Sequence, residues 1–338
     1  MLKGAFIGFG NVAANGHLPG WRTVNDARIV AATDAAASRG QAFLAACPDG
    51  RWHATVDDLL AREELDFVDI CAPPGSHAAL IERALRAGLH VLSEKPLVTR
   101  LEDAQRMRAA AARAGRVLHT VHNWLHAPVC RKISALIDEG AIGEVRSVRW
   151  RTLRTKPAIA VSADGVANWR VDAEQAGGGI LFDHGWHALY CVMRWAGVPL
   201  GVAGLLETRR FHEQPLEDTA ALELDTDAGV SNIFLTWAAD ERSNTIDIEG
   251  EKGEIHVAGD ALILKSESGQ RRWTSPSLSE GSHHPDWFGG VAADFLAAAR
   301  GAAKSNLDQA VLCARLIDAA QRSSAAGGAQ AALDDQSF

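Results

Sequence analysis

The apolar run Gly4-Ala5-Phe6-Ile7 leads directly into the turn Gly8-Phe9-Gly10-Asn11-Val12-Ala13. A short run without polar breaks suits a strand buried on both faces of a parallel sheet, and the closely spaced glycines then send the chain into a helix. Strand, glycine turn and helix in that order point to an open α/β fold with a phosphate-sized loop at a helix N-terminus. Gly8 permits the tight turn, Gly10 lets the backbone come close to a pyrophosphate, and the small Ala13 lets the helix pack against its strand. Gly8, Gly10, Asn11, Val12 and Ala13 are therefore candidate cofactor residues.

The next strand candidate, residues 28–33, ends at Asp34, 21 residues beyond Ala13, where the dinucleotide fingerprint carries an acid. A carboxylate there accepts hydrogen bonds from the adenosine ribose hydroxyls and repels a 2′-phosphate, so NAD is expected in preference to NADP. An Asp in this place also suits the cap of a helix starting near Ala36, and by itself Asp34 does not separate the two roles.

With 338 residues the chain has room for two domains with their own cores. A hydrophobic content of 47% with 22% charged residues is that of an ordinary globular protein. The formal net charge of −8 and the lack of a Lys/Arg cluster argue against nucleic acid or an anionic membrane as partner. No apolar run approaches the length of a membrane span. The first strand begins beside Met1, which leaves no room for a signal peptide, so a cytoplasmic location is expected. The five cysteines are scattered without a C-x-x-C pair and read as reduced thiols.

Through residue 121 the chain alternates strand and helix signals. A helix near Ala36 runs to Cys47 and is closed by Pro48. A strand over 67–71 is followed by a helix over 77–87 that stops at Gly88. A strand over 90–92, a helix over 101–114 and a strand over 117–121 complete the half. This is the pattern of a doubly wound parallel sheet of Rossmann type. Beyond Pro128, a helix over 129–139 ends at Gly140. Ile233, Leu235 and Trp237 then alternate with polar neighbours, as do Ile246 with Ile248 and Ile255 with Val257. That period indicates an antiparallel sheet with one covered face, and two helices, 286–300 and 307–324, close the chain. The expected division is an NAD-binding domain over 1–121 and a second α/β domain over 122–338.

Glu94-Lys95-Pro96 follows a parallel strand at its carboxyl end, where open α/β sheets hold their ligands. Lys95 there can orient a substrate hydroxyl and stabilise developing negative charge on its oxygen. A second block, Gly177-Gly178-Gly179-Ile180-Leu181-Phe182-Asp183-His184-Gly185-Trp186-His187, begins with glycines that allow close backbone approach and continues as a helix. Asp183 and His187 are four residues apart and share a helix face. A carboxylate beside an imidazole raises its basicity and fixes its orientation, which suits proton abstraction from an alcohol; a capping Asp with a packed His would have the same spacing. His119, His122 and His126 have spacings that invite a metal, but His119 and His122 point to opposite faces of a strand and no cysteine or carboxylate completes a tetrahedral set. No metal is expected.

The Gly-rich turn with His17-Leu18-Pro19, the Pro73 to His77 turn, Ala87-Gly88 ahead of Glu94-Lys95-Pro96, Gly140 to Glu144, Trp169-Arg170 and the Gly177 to His187 block occur in one order along nearly the whole chain. Together they resemble the Gfo/Idh/MocA oxidoreductases. The resemblance implies a Rossmann domain followed by an α/β domain with an open, mainly antiparallel sheet, often used for oligomerisation, so a homodimer or homotetramer is expected. It implies that Lys95, Asp183 and His187 surround the nicotinamide and a sugar or polyol, with Pro73, His77 and Glu94 on the cofactor side. Asn123, Trp124, His126, Trp169 and His184 are the candidate substrate residues. The chain departs from the family after Asn123, where Trp124-Leu125-His126-Ala127 stands in place of an Arg-Phe pair, and at Tyr190, where an Asp is common.

Three functions compete at this stage. In the leading one, an NAD-dependent dehydrogenase acts on a secondary alcohol of a sugar, polyol or cyclitol: His187 takes the hydroxyl proton, Lys95 polarises the oxygen, and Asp183 orients the imidazole or holds a neighbouring hydroxyl. In the second, transient oxidation acidifies a neighbouring C–H so that a glycosidic bond is eliminated before the ketone is reduced again. In the third, a cofactor-bound sensor performs no turnover. With no arginine inside the two catalytic blocks, and Trp124, Trp186 and Trp169 available as flat apolar faces, a largely neutral polyhydroxylated ligand is expected over a compact 2-hydroxy acid. The one route left open for an arginine is Arg170, should the fold bring it to the site.

Overall fold

The computed structural model describes residues 1–159, 168–281 and 283–333. Its first half is a doubly wound unit built from β1 (Leu2–Ile7), a π-helical turn (Ala13–His17) running into α1 (Leu18–Trp21), β2 (Ala27–Thr33), α2 (Arg39–Ala46), β3 (Arg51–His53), α3 (Val56–Arg62), β4 (Phe67–Ile70), α4 (His77–Arg86), β5 (His90–Ser93), α5 (Leu101–Ala114) and β6 (Leu118–Thr120). The strands form one parallel sheet in the order β3-β2-β1-β4-β5-β6. The order reverses between β1 and β4, which opens a crevice at the carboxyl ends of the strands. The whole of β4 and the last four residues of β1 are buried, as the unbroken apolar runs require of strands covered by helices on both faces.

Local signals set most of these boundaries. The helix α5 has Glu102 and Asp103 in its first turn, Arg113 in its last, and Gly115 in the left-handed region at φ +59° as its stop. Two elements, β3 and α3, are not anticipated above. Only three residues long, β3 offers no alternation to detect. For α3 there was a signal, because the Thr55 side chain accepts from Asp58 N at 3.0 Å as an N-cap.

The second half continues with α6 (Pro128–Asp138), β7 (Val145–Leu153), the single turn α7 (Ala173–Ala176), a second π-helical turn (Leu181–Gly185) running into α8 (Trp186–Ala196), and β8 (Gly201–Glu207). Then come β9 (Thr219–Thr226), β10 (Gly229–Thr236), β11 (Ser243–Gly250), β12 (Gly253–Ala258), β13 (Ala261–Ser266), β14 (Gly269–Thr274), α9 (Pro285–Ala299), α10 (Leu307–Ala325) and β15 (Ala331–Ala332). Nine strands lie in the order β14-β13-β12-β11-β7-β10-β9-β8-β15, antiparallel throughout except for the parallel β7–β10 pair. One face of this sheet is covered by helices, among them α8 and α10. On the other, Arg149, Arg151, Leu205 and Glu223 are exposed, as the alternation predicts.

The last quarter of the chain returns to the first sheet. Phe288, Val291, Phe295 and Leu296 of α9 pack with Phe6, Trp21 and Phe67 in one buried cluster. Among the described residues no helix is long and apolar enough to cross a membrane.

Candidate active site

At the start of the chain, Gly8 has φ +92°, and a Cβ there would stand 2.8 Å from Ala72 N, so both the turn and the proximity of β4 exclude a side chain. Gly10 faces open space. Phe9 N donates to Asp34 Oδ2 at 2.6 Å and Ala36 N to Asp34 Oδ1 at 2.8 Å. Asp34 thus ties the Gly-rich turn to the end of β2 and also turns the chain that follows. Asn11 is exposed, Val12 and Pro73 are half-buried, and Ala13 is fully buried against the sheet. The Asn123 Oδ1 atom is buried without a hydrogen-bond partner among the described residues. An uncovered glycine turn, a carboxylate one strand away and an orphaned amide oxygen fit a dinucleotide lying across the switch point.

Two residues expected on the cofactor side have their side chains occupied elsewhere. The ring nitrogens of His77 lie 2.8 Å from the carbonyls of Pro96 and Ala72, so this buried ring braces the backbone after Lys95. Glu94 has Oε1 2.9 Å from His17 Nε2, while its Oε2 accepts from Lys95 N at 2.9 Å. The other face of His17 meets Asp69, with Nδ1 2.9 Å from Oδ2, and Trp21 Nε1 donates to the same oxygen at 2.7 Å. Burial alone would depress the His17 pKa, but Asp69 and Cys71 outweigh it and raise the group well above 6.5. Burial acts on Glu94 in the opposite sense and is likewise overcome, here chiefly by His17, so that its pKa is lowered. His17, Asp69 and Cys71 keep their donor atoms within 4.8 Å of one another. The contacts they make are hydrogen bonds with each other and with Trp21 and Glu94.

The Lys95 ammonium reaches across to the second block, donating to Asp183 O at 2.5 Å and standing 3.3 Å from Asp183 Oδ1. Arg170 Nη1 donates to the same Oδ1 at 3.0 Å, and His184 Nδ1 lies 3.1 Å from Oδ2. Burial opposes the ionised Asp183, yet His184, Lys95 and Arg170 hold its pKa well below the usual carboxylate range. The glycines ahead of it are needed for packing: a Cβ on Gly179 would stand 1.8 Å from the carbonyl oxygen of Glu217. The carboxylate of Glu217 accepts from Gly179 N at 2.9 Å and from Leu181 N at 3.1 Å.

His187 is oriented by a different residue from the one its spacing suggested. The wide turn over Leu181–Gly185 directs Asp183 toward Lys95 and Arg170, while His187 Nδ1 sits 2.6 Å from the hydroxyl of Tyr190, the chain's single tyrosine. That hydroxyl accepts from Trp124 N at 3.1 Å, and the Trp124 ring stacks on His187 with centroids 4.6 Å apart. Burial, then the charge on Lys95, holds the His187 pKa well below 6.5, which favours the neutral, proton-accepting ring.

The remaining expected substrate residues divide. His184 is in the cluster, and Trp169 lies at its edge with the Arg170 guanidinium 4.5 Å from its ring. Trp124 is only 7% exposed and fills space between His187 and Trp150, and Trp186 is wholly buried, donating to His122 Nε2 at 3.1 Å. Both are packing residues rather than open faces. His126 stands 3.2 Å from Asp294 and against Gly290 of α9. His119 and His122 have separate partners, Asn306 and Gln309. Arg170, His17, Asp69, Glu217 and Tyr190 are the site residues that the catalytic blocks alone did not assign; Tyr190, one helical turn from His187, carried a local signal, and the others are joined only by folding.

A family model described as an oxidoreductase family with an NAD-binding Rossmann fold matches residues 2–122, and the model of the GFO/IDH/MocA C-terminal domain matches residues 130–256. The chain belongs to the GFO/IDH/MocA family of oxidoreductases, and its residues 2–122 are an NAD-binding Rossmann domain. Among named relatives, the D-apiose dehydrogenase of Paraburkholderia graminis is 38% identical over 142 residues, 42% of this chain and 38% of that protein. The fold matches an oxidoreductase from Agrobacterium radiobacter, solved with NAD+, L-tartaric acid and magnesium, at TM-score 0.86 and 23% identity over 98% of each chain. It matches a levoglucosan dehydrogenase solved with NADH and levoglucosan at TM-score 0.85 and 21% identity, over 99% of this chain and all of that one.

Proposed function

We propose that the protein is an NAD-dependent oxidoreductase acting on a secondary alcohol of a sugar, polyol or cyclitol. The observation that carries this reading is the meeting of Lys95 with Asp183 beside a neutral His187, at the carboxyl end of β5. The D-apiose dehydrogenase and the levoglucosan dehydrogenase, similar in sequence and in fold respectively, support a carbohydrate substrate. Bound NAD supplies the hydride acceptor or donor. Gly8, Gly10, Asn11, Val12 and Ala13 hold its phosphates and Asp34 its adenosine ribose, which favours NAD over NADP.

In this reading Lys95, anchored by the Asp183 carbonyl, donates to the reacting oxygen. His187 accepts the hydroxyl proton at Nε2, and its Nδ1 proton is donated to the Tyr190 oxygen, which fixes ring and tautomer. Asp183 keeps the two cations and His184 in register. Residues 1–121 serve the cofactor, while 122–338 supply the substrate side and a homodimer or homotetramer contact, in the cytoplasm.

The test is NADH formation over a panel of sugars, polyols and cyclitols, repeated with His187→Ala. The variant is expected to bind NAD normally and to lose about a hundred- to ten-thousand-fold in turnover. Near-normal turnover by the variant would remove His187 from the proton transfer. No turnover of any panel member in either direction would overturn the reading.

A further inference from the structure

A neutral ligand was expected from the lack of an arginine in the catalytic blocks and from tryptophan faces, two of which are packed away, and the fold brings two arginines to the site. Arg170 shares Asp183 with Lys95. The second, Arg154, directly follows β7 and is only 5% exposed. Its Nη1 donates to the carbonyls of Leu153 and Ser243 at 2.8 and 3.0 Å, and its Nη2 to Asn244 Oδ1 at 2.8 Å. These partners are all neutral. Its Nε is buried with no hydrogen-bond partner among the described residues, and no carboxylate among them lies within ion-pair distance.

A second orphaned donor follows the neighbouring strand, β10. In the β7–β10 register Trp150 is opposite Ile233 and Thr152 opposite Leu235, so the next pair on the same buried face is Arg154 and Trp237. Arg154 N donates to Thr236 O at 2.8 Å, which holds the two strands together at that point. Trp237 is 1% exposed and its Nε1 has no hydrogen-bond partner among the described residues. The guanidinium is near enough to Arg242, Asp183 and His184 for their charges to act on one another. Two unpaired buried donors, one of them cationic, therefore border the proposed reaction centre.

A buried guanidinium is ordinarily paired with an anion, because neutral carbonyls solvate its charge incompletely. The charge count around the centre points the same way. Lys95 and Arg170 share one carboxylate, His17 stands between those of Asp69 and Glu94, and Arg154 has no carboxylate within ion-pair distance among the described residues. Glu217 and Asp218 are spent on the backbone N–H groups of 179 and 181 and of 209–211.

Resting on the reading of the site as a carbohydrate oxidoreductase, we infer that its substrate is a polyhydroxylated carboxylic acid, an aldonate, uronate or cyclitol acid, whose carboxylate takes Arg154 Nε–H on one oxygen and Trp237 Nε1–H on the other. Two N–H donors suit the two oxygens of a carboxylate; a phosphate dianion presents three oxygens to be satisfied.

The experiment compares neutral sugars and polyols with their acids and 6-phosphates: glucose against glucuronate, gluconate and glucose 6-phosphate, and the galacto series likewise. Turnover with NAD+ and calorimetric binding to the NADH-loaded enzyme are both measured. The acids are expected to exceed the neutral partners at least tenfold in kcat/KM or affinity. Trp237→Phe, which deletes one N–H and keeps the ring, is expected to lower that ratio several-fold through KM. Arg154→Gln should abolish the preference, with folding checked by circular dichroism. Neutral sugars or 6-phosphates used or bound as well as the acids would overturn the inference and leave the oxidoreductase reading standing. An acid preference unchanged in Trp237→Phe and Arg154→Gln would overturn the assigned subsite. Binding of acids without any turnover would support the inference and count against the reaction.

Discussion

His187 shows how one side chain's chemistry is set by what surrounds it. Tyr190 takes one ring nitrogen, Trp124 covers one ring face, and Lys95 acts on its charge. Oxidation of an alcohol needs the neutral ring, and burial followed by Lys95 lowers the pKa, so the neutral form persists into more acidic solution than for a free imidazole. The acidic limb of kcat/KM for alcohol oxidation is therefore expected below the 6.5 of an ordinary imidazole. In Lys95→Met the residual activity should show that limb displaced upward, since one of the depressing charges is gone. A limb at or above 6.5 in the wild type, unmoved in the variant, would assign the titration to another group.

The two π-helical turns, Ala13–His17 and Leu181–Gly185, are the elements that build the site, one delivering His17 and the other Asp183 with His184. Such wide turns inside helices are frequent at functional sites, because the extra residue re-aims the side chains. His17 joins the first of them to β4 through Asp69 and to the end of β5 through Glu94, a charge pair buried on both sides. Breaking such a pair leaves carboxylates uncompensated at a cost of about 3–5 kcal/mol. His17→Gln is expected to lower unfolding stability by that order in urea and to loosen the Lys95 loop, raising KM. The pH sign follows from the raised His17 pKa. Its contribution is complete below the unfolded value near 6.5 and declines as pH rises through the folded value, so stability should fall on the alkaline side in the wild type and lose that slope in His17→Gln. Equal stability of the two proteins at pH 6 would remove the pair from the structural account.

At the scale of the whole molecule, α9 makes the two halves interdependent. Its Phe288 stacks on His17 at 3.9 Å and its Phe295 meets Phe67 at 5.4 Å, so a helix from the end of the chain closes the first sheet's core. The nine-stranded sheet leaves its other face open, where Leu205, Ala221 and Phe234 adjoin across β8, β9 and β10. Leu205 is 48% exposed, an apolar row on a face with no helix over it among the described residues. This face is expected to pair with a second copy. Light scattering after gel filtration should give a dimer or tetramer, and Phe234→Asp should shift it toward monomer. A monomeric wild type would overturn the expectation.

The sequence by itself determined the elements and the order in which they meet. A turn such as Gly8 to Ala13, or the helix Leu101–Ala114 with its acidic first turn and left-handed Gly115, depends on neighbours a few residues away, and those neighbours are visible in the chain. Lys95, Asp183 and His187 were legible as a set because the two blocks carry them at strand and helix ends. Only the tertiary structure decided how the set is wired. His17 and Glu94 are 77 positions apart, and Lys95 and Asp183 are 88 apart. Tyr190 in place of Asp183 as the partner of His187 follows from a wide turn that a four-residue spacing does not reveal. The burial of Arg154 with no anion beside it among the described residues depends on strand register and on Ser243 and Asn244 of β11. Hydrogen-bond direction and desolvation are set by atoms that packing brings together, and for these residues those atoms are remote in sequence.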